Sequence, residues 1–206
     1  MKALVVLGGD PPGSILLEWR MKWADFSIAA DAGMKVFAEA GLEPDLLIGD
    51  MDSFDPDEVS LVCEVDHIEN QNRTDFQKAL ARSEVQGADE IVILGGTGGR
   101  SDHFLNNLMI AASLSANMAV LFDAQGEIIY RVTPEHPLAL QGLVGQTISL
   151  IPMGPCKGVT ATGLRWPLSE VDMGPGEVLS QSNLADADEI EVRLQGGTLY
   201  ATVLKH

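Results

Sequence analysis

Four acidic residues lie where predicted strands end or a predicted helix begins, and their positions suggest a site for a hard metal ion. They are Asp31, Asp50, Asp52 and Asp75. Open parallel sheets bind ligands beyond the carboxyl ends of their strands, so we expect these side chains to share one crevice. Carboxylate oxygens suit Mg²⁺, which takes further ligands from substrate phosphates. The residue types alone leave a second interpretation open, in which such aspartates form turns and cap helices.

A glycine-rich loop connects an apolar run to a predicted helix and has features of a phosphate-binding loop. It reads Gly95-Gly-Thr-Gly-Gly-Arg-Ser-Asp-His103. Glycine N–H groups, the positive end of the helix and the Arg100 fork all favour phosphate oxygens. The loop lacks the Gly-Lys-Ser/Thr ending of a P-loop and the spacing of the dinucleotide fingerprint. A tight turn capped by Ser101 or Asp102 fits equally well, and a histidine at position 103 is more typical of a structural hydrogen bond than of catalysis.

Two segments near the C-terminus carry groups suited to a flat heteroaromatic ring. Residues 163–168 include Trp166, and residues 180–183 combine hydroxyl and amide side chains. An aromatic face with nearby polar groups can bind such a ring. A tryptophan in a β-rich region is also a common core residue, so the residue type does not decide between the two roles.

The elements that must position these residues follow two different patterns. In the first two-thirds, apolar runs alternate with amphipathic segments, which predicts a parallel sheet covered by helices. The predicted strands are 3–7, 27–30, 46–48, 91–94 and 119–122, and the predicted helices are 32–40, 56–63, 75–83 and 103–116. After about Asp123, short β-rich runs predict a small antiparallel sandwich or barrel. These runs are 147–151, 158–162, 178–182, 189–194 and 198–204.

Composition limits the partners that the protein can have. The 206 residues include 30 acidic and 13 basic side chains, for a net charge of −17, so DNA or RNA would be repelled over most of the surface. The apolar run at 3–7 is too short for the core of a signal peptide and much too short to span a bilayer. Two widely separated cysteines suggest neither a disulfide framework nor a zinc site, and they fit a reducing cytoplasm.

Five segments, in this order along the chain, resemble the thiamine pyrophosphokinase family. They are residues 31–33, 41–53, 74–80, 98–103 and 163–168. The motifs Gly49-Asp-Met-Asp-Ser53 and Gly98-Gly-Arg-Ser-Asp-His103, at this separation, are far more specific together than either is alone.

The resemblance implies a fold, an activity and an assembly. The expected fold has a Rossmann-like α/β domain with a parallel sheet at residues 1–130, which binds ATP and Mg²⁺. An all-β sandwich at residues 131–206 binds thiamine. The implied reaction moves the terminal diphosphate of ATP onto the hydroxyl of thiamine and releases AMP. The implied assembly is a homodimer whose active sites lie between subunits, with neither nucleic acid nor a membrane as a partner.

The resemblance also assigns roles to individual residues. The implied catalytic residues are Asp31, Asp50, Asp52, Asp75 and Arg100, of which the four aspartates are the implied Mg²⁺ ligands. We expect ATP contacts at Thr74, Thr97, Gly98, Gly99, Arg100, Ser101, Asp102 and His103. The implied thiamine contacts are Gln71, Trp166, Ser182 and Asn183.

The chain departs from the family pattern at two places. It has Asp31-Ala-Gly-Met-Lys35 where the family usually has Asp-Gly-Gly-Ala-Asn, which adds a Cβ at Ala32 and a longer side chain at Met34. It also has Asn72 where the family usually has Asp, which keeps the shape and removes a negative charge. Two alternatives follow: a non-catalytic thiamine- or nucleotide-binding homologue, and a diphosphokinase acting on another heteroaromatic alcohol such as a pterin.

Overall fold

The computed structural model describes residues 1–51, 63–177 and 180–205, and the chain divides into two compact units. The first unit contains residues 1–110 and 122–124, and the second contains residues 111–121 and 125–206. Asp52 and nearly all of the predicted helix 56–63 lie outside the described residues. Within the described part of the chain, no helix has the length and apolar character needed to cross a bilayer.

A parallel sheet forms the centre of the first unit. Its described strands are β1 (Lys2–Val6), β2 (Phe26–Ala30), β3 (Leu46–Gly49), β4 (Glu64–His67) and β5 (Glu90–Leu94). Their spatial order is β4-β3-β2-β1-β5, and every pair is parallel. The apolar strands β1, β2, β3 and β5 are almost entirely buried, which confirms their prediction. The sequence does not predict β4, because this edge strand is largely polar and exposed.

Helices connect these strands. They are α1 (Ser14–Trp23), α2 (Gly33–Ala40), α3 (Asp75–Val85) and α4 (Ser101–Ala112). The predicted capping box of α3 is confirmed, because Thr74 Oγ1 accepts from the Gln77 N–H and Gln77 Oε1 accepts from the Thr74 N–H. Gly41 ends α2 in the left-handed conformation, with φ of 66°. The sequence does not predict α1, because this helix has no side-chain N-cap and its apolar residues do not form one stripe.

The predicted bounds of α4 are wrong at both ends. The helix begins at Ser101 rather than at residue 103, and it ends at Ala112 rather than at residue 116. The early end has a physical cause in the second unit. There the Arg131 guanidinium donates to the carbonyls of Ala111, Leu114 and Ser115, and these acceptors are then satisfied without further helix.

Two antiparallel sheets form the second unit. The unit boundary crosses β6 (Ala119–Asp123), and the later strands are β7 (Glu127–Val132), β8 (Leu138–Gln141), β9 (Thr147–Pro152), β10 (Cys156–Thr162), β11 (Leu168–Met173), β12 (Ser180–Leu184), β13 (Glu189–Arg193) and β14 (Leu199–Leu204). One set of neighbouring strands has the order β12-β9-β14-β7-β6, and the other sheet has the order β11-β10-β13-β8.

Side chains from both sheets share one apolar core, as in a β-sandwich. Ile148 and Leu150 come from the first sheet, and Val159, Ile190 and Val192 come from the second. The five predicted strands of this region match β9, β10, β12, β13 and β14, with residues 178 and 179 outside the described part. The sequence does not predict β7, β8 or β11. The residues of β8 and β11 are mostly half-buried or exposed.

Candidate active site

A cleft of about 930 Å³ opens in the first unit where its central strands end. It is lined by residues 7–9 after β1, residues 30–32 after β2, residues 74–76 at the start of α3, and residues 95–100, 102–104 and 106–107 around the start of α4. Carboxyl ends of parallel strands are the usual ligand site of such sheets. All eight predicted ATP contacts except Ser101 line this cleft.

Asp31 and Asp75 meet at the floor of the cleft. A Cβ placed on Gly49, which ends β3, would lie 2.9 Å from Asp31 Cβ and 3.3 Å from Asp75 Oδ1. The two carboxylate-bearing residues therefore flank one glycine. This convergence is what the strand-end positions of the two aspartates lead us to expect.

Asp31 sits in an unusual environment for a carboxylate. Its residue is only 5% exposed, and its Oδ1 atom is buried with no hydrogen-bond partner in the described structure. Its backbone has φ of 41°, a region that L-residues other than Asn and Asp rarely adopt. Buried oxygens without partners and strained backbones both cost free energy and are concentrated at functional sites.

Asp50 lies beside a residue predicted for the thiamine side. Gln71 Nε2 donates to Asp50 Oδ2 at 2.7 Å, so the two positions are neighbours. Neither residue lines the cleft. Among the described residues, no three Asp, Glu, His or Cys side chains converge closely enough to form a complete metal site, and Asp52 is not among those residues.

Lys78 is a buried partner of the cleft residue Asp75 that sequence reasoning missed. Its Nζ donates to Asp75 Oδ1 at 2.8 Å, and the residue is only 3% exposed. Lysine is almost never buried unless it is paired, so its residue type predicts a surface position. The available signal was its spacing, because residues three apart on a helix share a face and Asp75 opens the same helix.

Two loops pair to build one wall of the cleft. The Gly9 N–H donates to the Gly95 carbonyl at 2.9 Å, and the Asp10 N–H donates to the Thr97 carbonyl at 2.9 Å. A Cβ on Gly95 would lie 2.2 Å from the Leu7 carbonyl oxygen, so the backbones touch at that point. The sequence signal for this contact was Gly8-Gly9, which directly follows an apolar strand.

We expect Gly95→Ala to destabilise the protein much more than Gly99→Ala. Both glycines have positive φ, 63° and 61°, so both substitutions carry a strain of about 1–2 kcal/mol. Gly99 has open space where its Cβ would lie, whereas at Gly95 the methyl group overlaps backbone. The overlap should cost a further ~2 kcal/mol. Urea denaturation measures both values, and equal losses of stability would contradict the proposed loop contact.

Arg100 is held by a neighbouring carboxylate. Its Nε donates to Asp102 Oδ1 at 3.1 Å and its Nη2 to Asp102 Oδ2 at 2.6 Å. This bond, with the adjacent charge, keeps the pKa of the Asp102 carboxyl below its usual value. The Asp102 carboxylate also accepts from the His103 N–H at the start of α4. A phosphate that binds Arg100 must therefore compete with Asp102.

In the second unit, the structure brings Trp166 and Asn183 together. Trp166 lies between β10 and β11 and is 60% exposed, while Asn183 is buried in β12. The Asn183 amide bonds to both backbone polar groups of Trp166. Ser182 is exposed, and its N–H donates to Ser149 Oγ at 2.9 Å.

The departures from the family pattern lie in different surroundings. The Ala32 methyl group lines the cleft and lies where a Cβ on Gly8 would collide with it, so the glycine makes room for the alanine. Met34 is buried and does not line the cleft. Asn72 is exposed, and its N–H donates to Asn70 Oδ1 in a local turn.

The cleft and the fold place the first unit in the class of α/β proteins that bind ligands at the carboxyl ends of parallel strands, here followed by a β-sandwich. The family model described as "Thiamin pyrophosphokinase, catalytic domain" matches residues 17–122. The model described as "Thiamin pyrophosphokinase, vitamin B1 binding domain" matches residues 134–199. The chain belongs to the thiamin pyrophosphokinase family.

Individual relatives agree with this assignment. Thiamine pyrophosphokinase 2 of Oryza sativa subsp. japonica is 29% identical over 237 residues, which cover 99% of this chain and 86% of that protein. Thiamine pyrophosphokinase of Bacillus subtilis is 29% identical, with 89% of each chain covered. The crystal structure of thiamin pyrophosphokinase from Geobacillus thermodenitrificans has the same fold, with a TM-score of 0.83, 22% identity, and coverage of 100% of this chain and 98% of that one.

Proposed function

We propose that this protein transfers the terminal diphosphate of ATP to the hydroxyl of thiamine, giving thiamine diphosphate and AMP. The observation that carries the proposal is the strand-end cleft, where Asp31 and Asp75 lie opposite a glycine loop that bears Arg100. Carboxylates suit a phosphate-bound cation, and the loop and guanidinium suit the phosphates themselves. Membership of the family directs this chemistry to thiamine as acceptor.

We propose Mg²⁺ as the cation at the floor of the cleft. The buried Asp31 Oδ1 has no partner among the described residues and is a hard oxygen ligand, so the residues present fit this ion. Asp75 flanks the same glycine, and Asp50 and Asp52 complete the expected set. When bound, the ion neutralises negative charge on the phosphate oxygens.

The protein's own groups then bind and orient the reactants. The thiamine hydroxyl oxygen attacks the β-phosphorus, the bond from that phosphorus to the oxygen bridging to the α-phosphate breaks, and AMP leaves. The hydroxyl proton passes to a carboxylate, and we propose Asp75, whose Oδ1 is fixed by Lys78. The Arg100 guanidinium, which donates to Asp102 in the structure, donates to phosphate oxygens instead when ATP binds. Positioning and electrostatics supply most of the rate enhancement.

We propose that residues 1–130 form the ATP side and residues 131–206 the thiamine side, within a homodimer that shares its active sites between subunits. A mixture of two variants, Asp31→Asn and Trp166→Ala, tests this assembly at a thiamine concentration far below the raised KM of Trp166→Ala, where each variant alone has little activity. If the two sides come from different subunits, mixed dimers regain one intact site, and about a quarter of wild-type activity should return after subunit exchange. Persistent inactivity of a mixture shown to contain mixed dimers would contradict the shared site.

A competition experiment decides between acceptors. The purified protein, ATP and Mg²⁺ are incubated with equal concentrations of thiamine and a hydroxymethylpterin, and mass spectrometry identifies the diphosphate products. We expect thiamine diphosphate to dominate. A dominant pterin product would show that the preferred acceptor is the pterin and not thiamine. Binding of thiamine without any product would instead favour a non-catalytic homologue.

We also propose a cytoplasmic location, which is supported by the two unpaired cysteines.

A further inference from the structure

The side-chain amide of Asn183 is fully occupied within the protein. Its Oδ1 accepts from the Trp166 N–H at 3.1 Å and from the Leu184 N–H at 2.9 Å. Its Nδ2 donates to the Trp166 carbonyl at 2.8 Å and to Ser180 Oγ at 3.2 Å. An asparagine amide has two donor hydrogens and two acceptor lone pairs, so no capacity remains for a ligand. The residue is also only 2% exposed.

These bonds end a short backbone pairing between the Trp166 segment and β12. Leu164 forms an isolated antiparallel bridge with Ala185, and the Arg165 N–H donates to the Leu184 carbonyl at 2.8 Å. At Trp166 the partner is no longer backbone, because the Asn183 amide takes both polar groups. The side chain therefore continues the pairing by one residue.

A β-bulge in β12 accompanies this arrangement. The register of β12 against β9 shifts between Ser180 and Asn183, and Ser182 has φ of 55°. A bulge of this kind changes the direction of the side chains that follow it. Here Ser182 is exposed and Asn183 is buried against Trp166. The strained backbone costs free energy, which is a usual feature of functional segments.

Trp166, whose backbone is bonded to the Asn183 amide, presents an aromatic surface to solvent. Trp166 is 60% exposed, although a large apolar side chain is normally buried. The next residue, Pro167, has no N–H to donate to a further backbone pairing. Fixing the backbone before a ligand binds lowers the entropy cost of binding. An exposed indole on a fixed backbone suits a flat aromatic ring.

We propose that Asn183 is a positioning residue that acts on thiamine only through Trp166, by holding its backbone so that the indole forms a platform for the aromatic ring of thiamine. This proposal rests on the proposed function for its ligand. It replaces direct contact between Asn183 and thiamine, which the family resemblance implies. The proposal also gives Ser182 and Asn183 different roles, because the exposed Ser182 can face a ligand and the buried Asn183 cannot.

A double-mutant cycle tests whether Asn183 acts through Trp166. Asn183→Ala should raise the thiamine KM about tenfold and leave the ATP KM within about twofold, since it removes two bonds to the Trp166 backbone. Trp166→Ala should raise the thiamine KM at least as much. The double variant should be no worse than Trp166→Ala alone, because both changes remove one platform. Gln181→Ala, an exposed position on the same strand, is the matched control and should leave both KM values unchanged.

A measurement without any ligand tests the same contact independently of the reaction. Trp19→Phe with Trp23→Phe leaves Trp166 as the sole tryptophan of the three in the chain. In this background, fluorescence anisotropy decay should show faster local motion of the indole in Asn183→Ala. Asn183→Ser keeps a small hydroxyl that can donate and accept and adds no buried charge, so it should give an intermediate result and serves if the alanine variant fails to fold.

The outcomes separate the two proposals. Wild-type protein that does not convert thiamine would contradict the proposed function, while the anisotropy experiment would still test the contact between Asn183 and Trp166. Wild-type turnover with non-additive KM effects and a more mobile indole supports Asn183 as a positioning residue. Additive effects in the double variant, or unchanged indole motion in the Asn183 variants, would overturn it.

Discussion

Asp31→Asn is expected to lose nearly all turnover and yet be at least as stable as the wild-type protein. Loss of a charged group that stabilises the reacting phosphates should lower kcat by about 10²–10³-fold or more. The same change removes a buried charge whose Oδ1 has no hydrogen-bond partner within residues 1–51, 63–177 and 180–205. A neutral amide is less costly to bury, so the free energy of unfolding should rise by about 1 kcal/mol.

The choice of asparagine keeps the backbone unchanged. Asn tolerates the φ of 41° at this position, whereas Asp31→Ala should lose about 1 kcal/mol to backbone strain. Asp45→Asn is the matched control, because Asp45 Oδ2 accepts from the Ser27 N–H and hydroxyl and lies outside the cleft lining. That variant should keep its kcat and lose some stability. Asp31→Asn protein that is both active and less stable would show that Asp31 has only a structural role.

Lys78→Met is expected to lower both stability and turnover, because it leaves Asp75 without its partner. Breaking a fully buried ion pair costs about 3–5 kcal/mol, and the Asp75 side chain is 30% exposed, so we expect a loss of about 2–4 kcal/mol. The kcat should fall by about 10²-fold, because the freed carboxylate no longer has a fixed orientation. Urea denaturation and steady-state kinetics measure the two effects.

A second substitution separates the two effects of Lys78. Adding Asp75→Asn to Lys78→Met removes the unpaired charge, so part of the lost stability should return, about 1–2 kcal/mol. Turnover should not return, because the proposed proton acceptor is gone. If the double variant regains activity along with stability, Asp75 is not the acceptor. If Lys78→Met keeps wild-type kcat, the ion pair has no role in positioning.

The residues that sequence reasoning placed well are those whose position follows from strand ends and glycines. Asp31 and Asp75 were expected in one crevice, and they flank the same glycine. The glycine loop was expected to open a helix, and it does so two residues earlier than predicted. Both expectations depend on local pattern and on the general rule for parallel sheets, which the chain obeys.

The contacts that were missed depend on pairing between distant segments. Lys78 is buried only because Asp75 accepts from it, and the residue type predicts the opposite. Gly9 and Gly95 meet because β1 and β5 are neighbours, although the two glycines are far apart in the sequence. Asn183 was expected to contact a ligand, but its amide bonds to a loop 17 residues away in sequence. No local pattern contains these partners.

The most direct test of the account is the stoichiometry of the reaction. Purified protein is incubated with ATP and Mg²⁺, with and without thiamine, and AMP, ADP and thiamine diphosphate are quantified by mass spectrometry. We expect one AMP for each thiamine diphosphate and negligible release of either nucleotide without thiamine. ADP as the product, or AMP release that does not depend on thiamine, would contradict diphosphate transfer to thiamine by this protein.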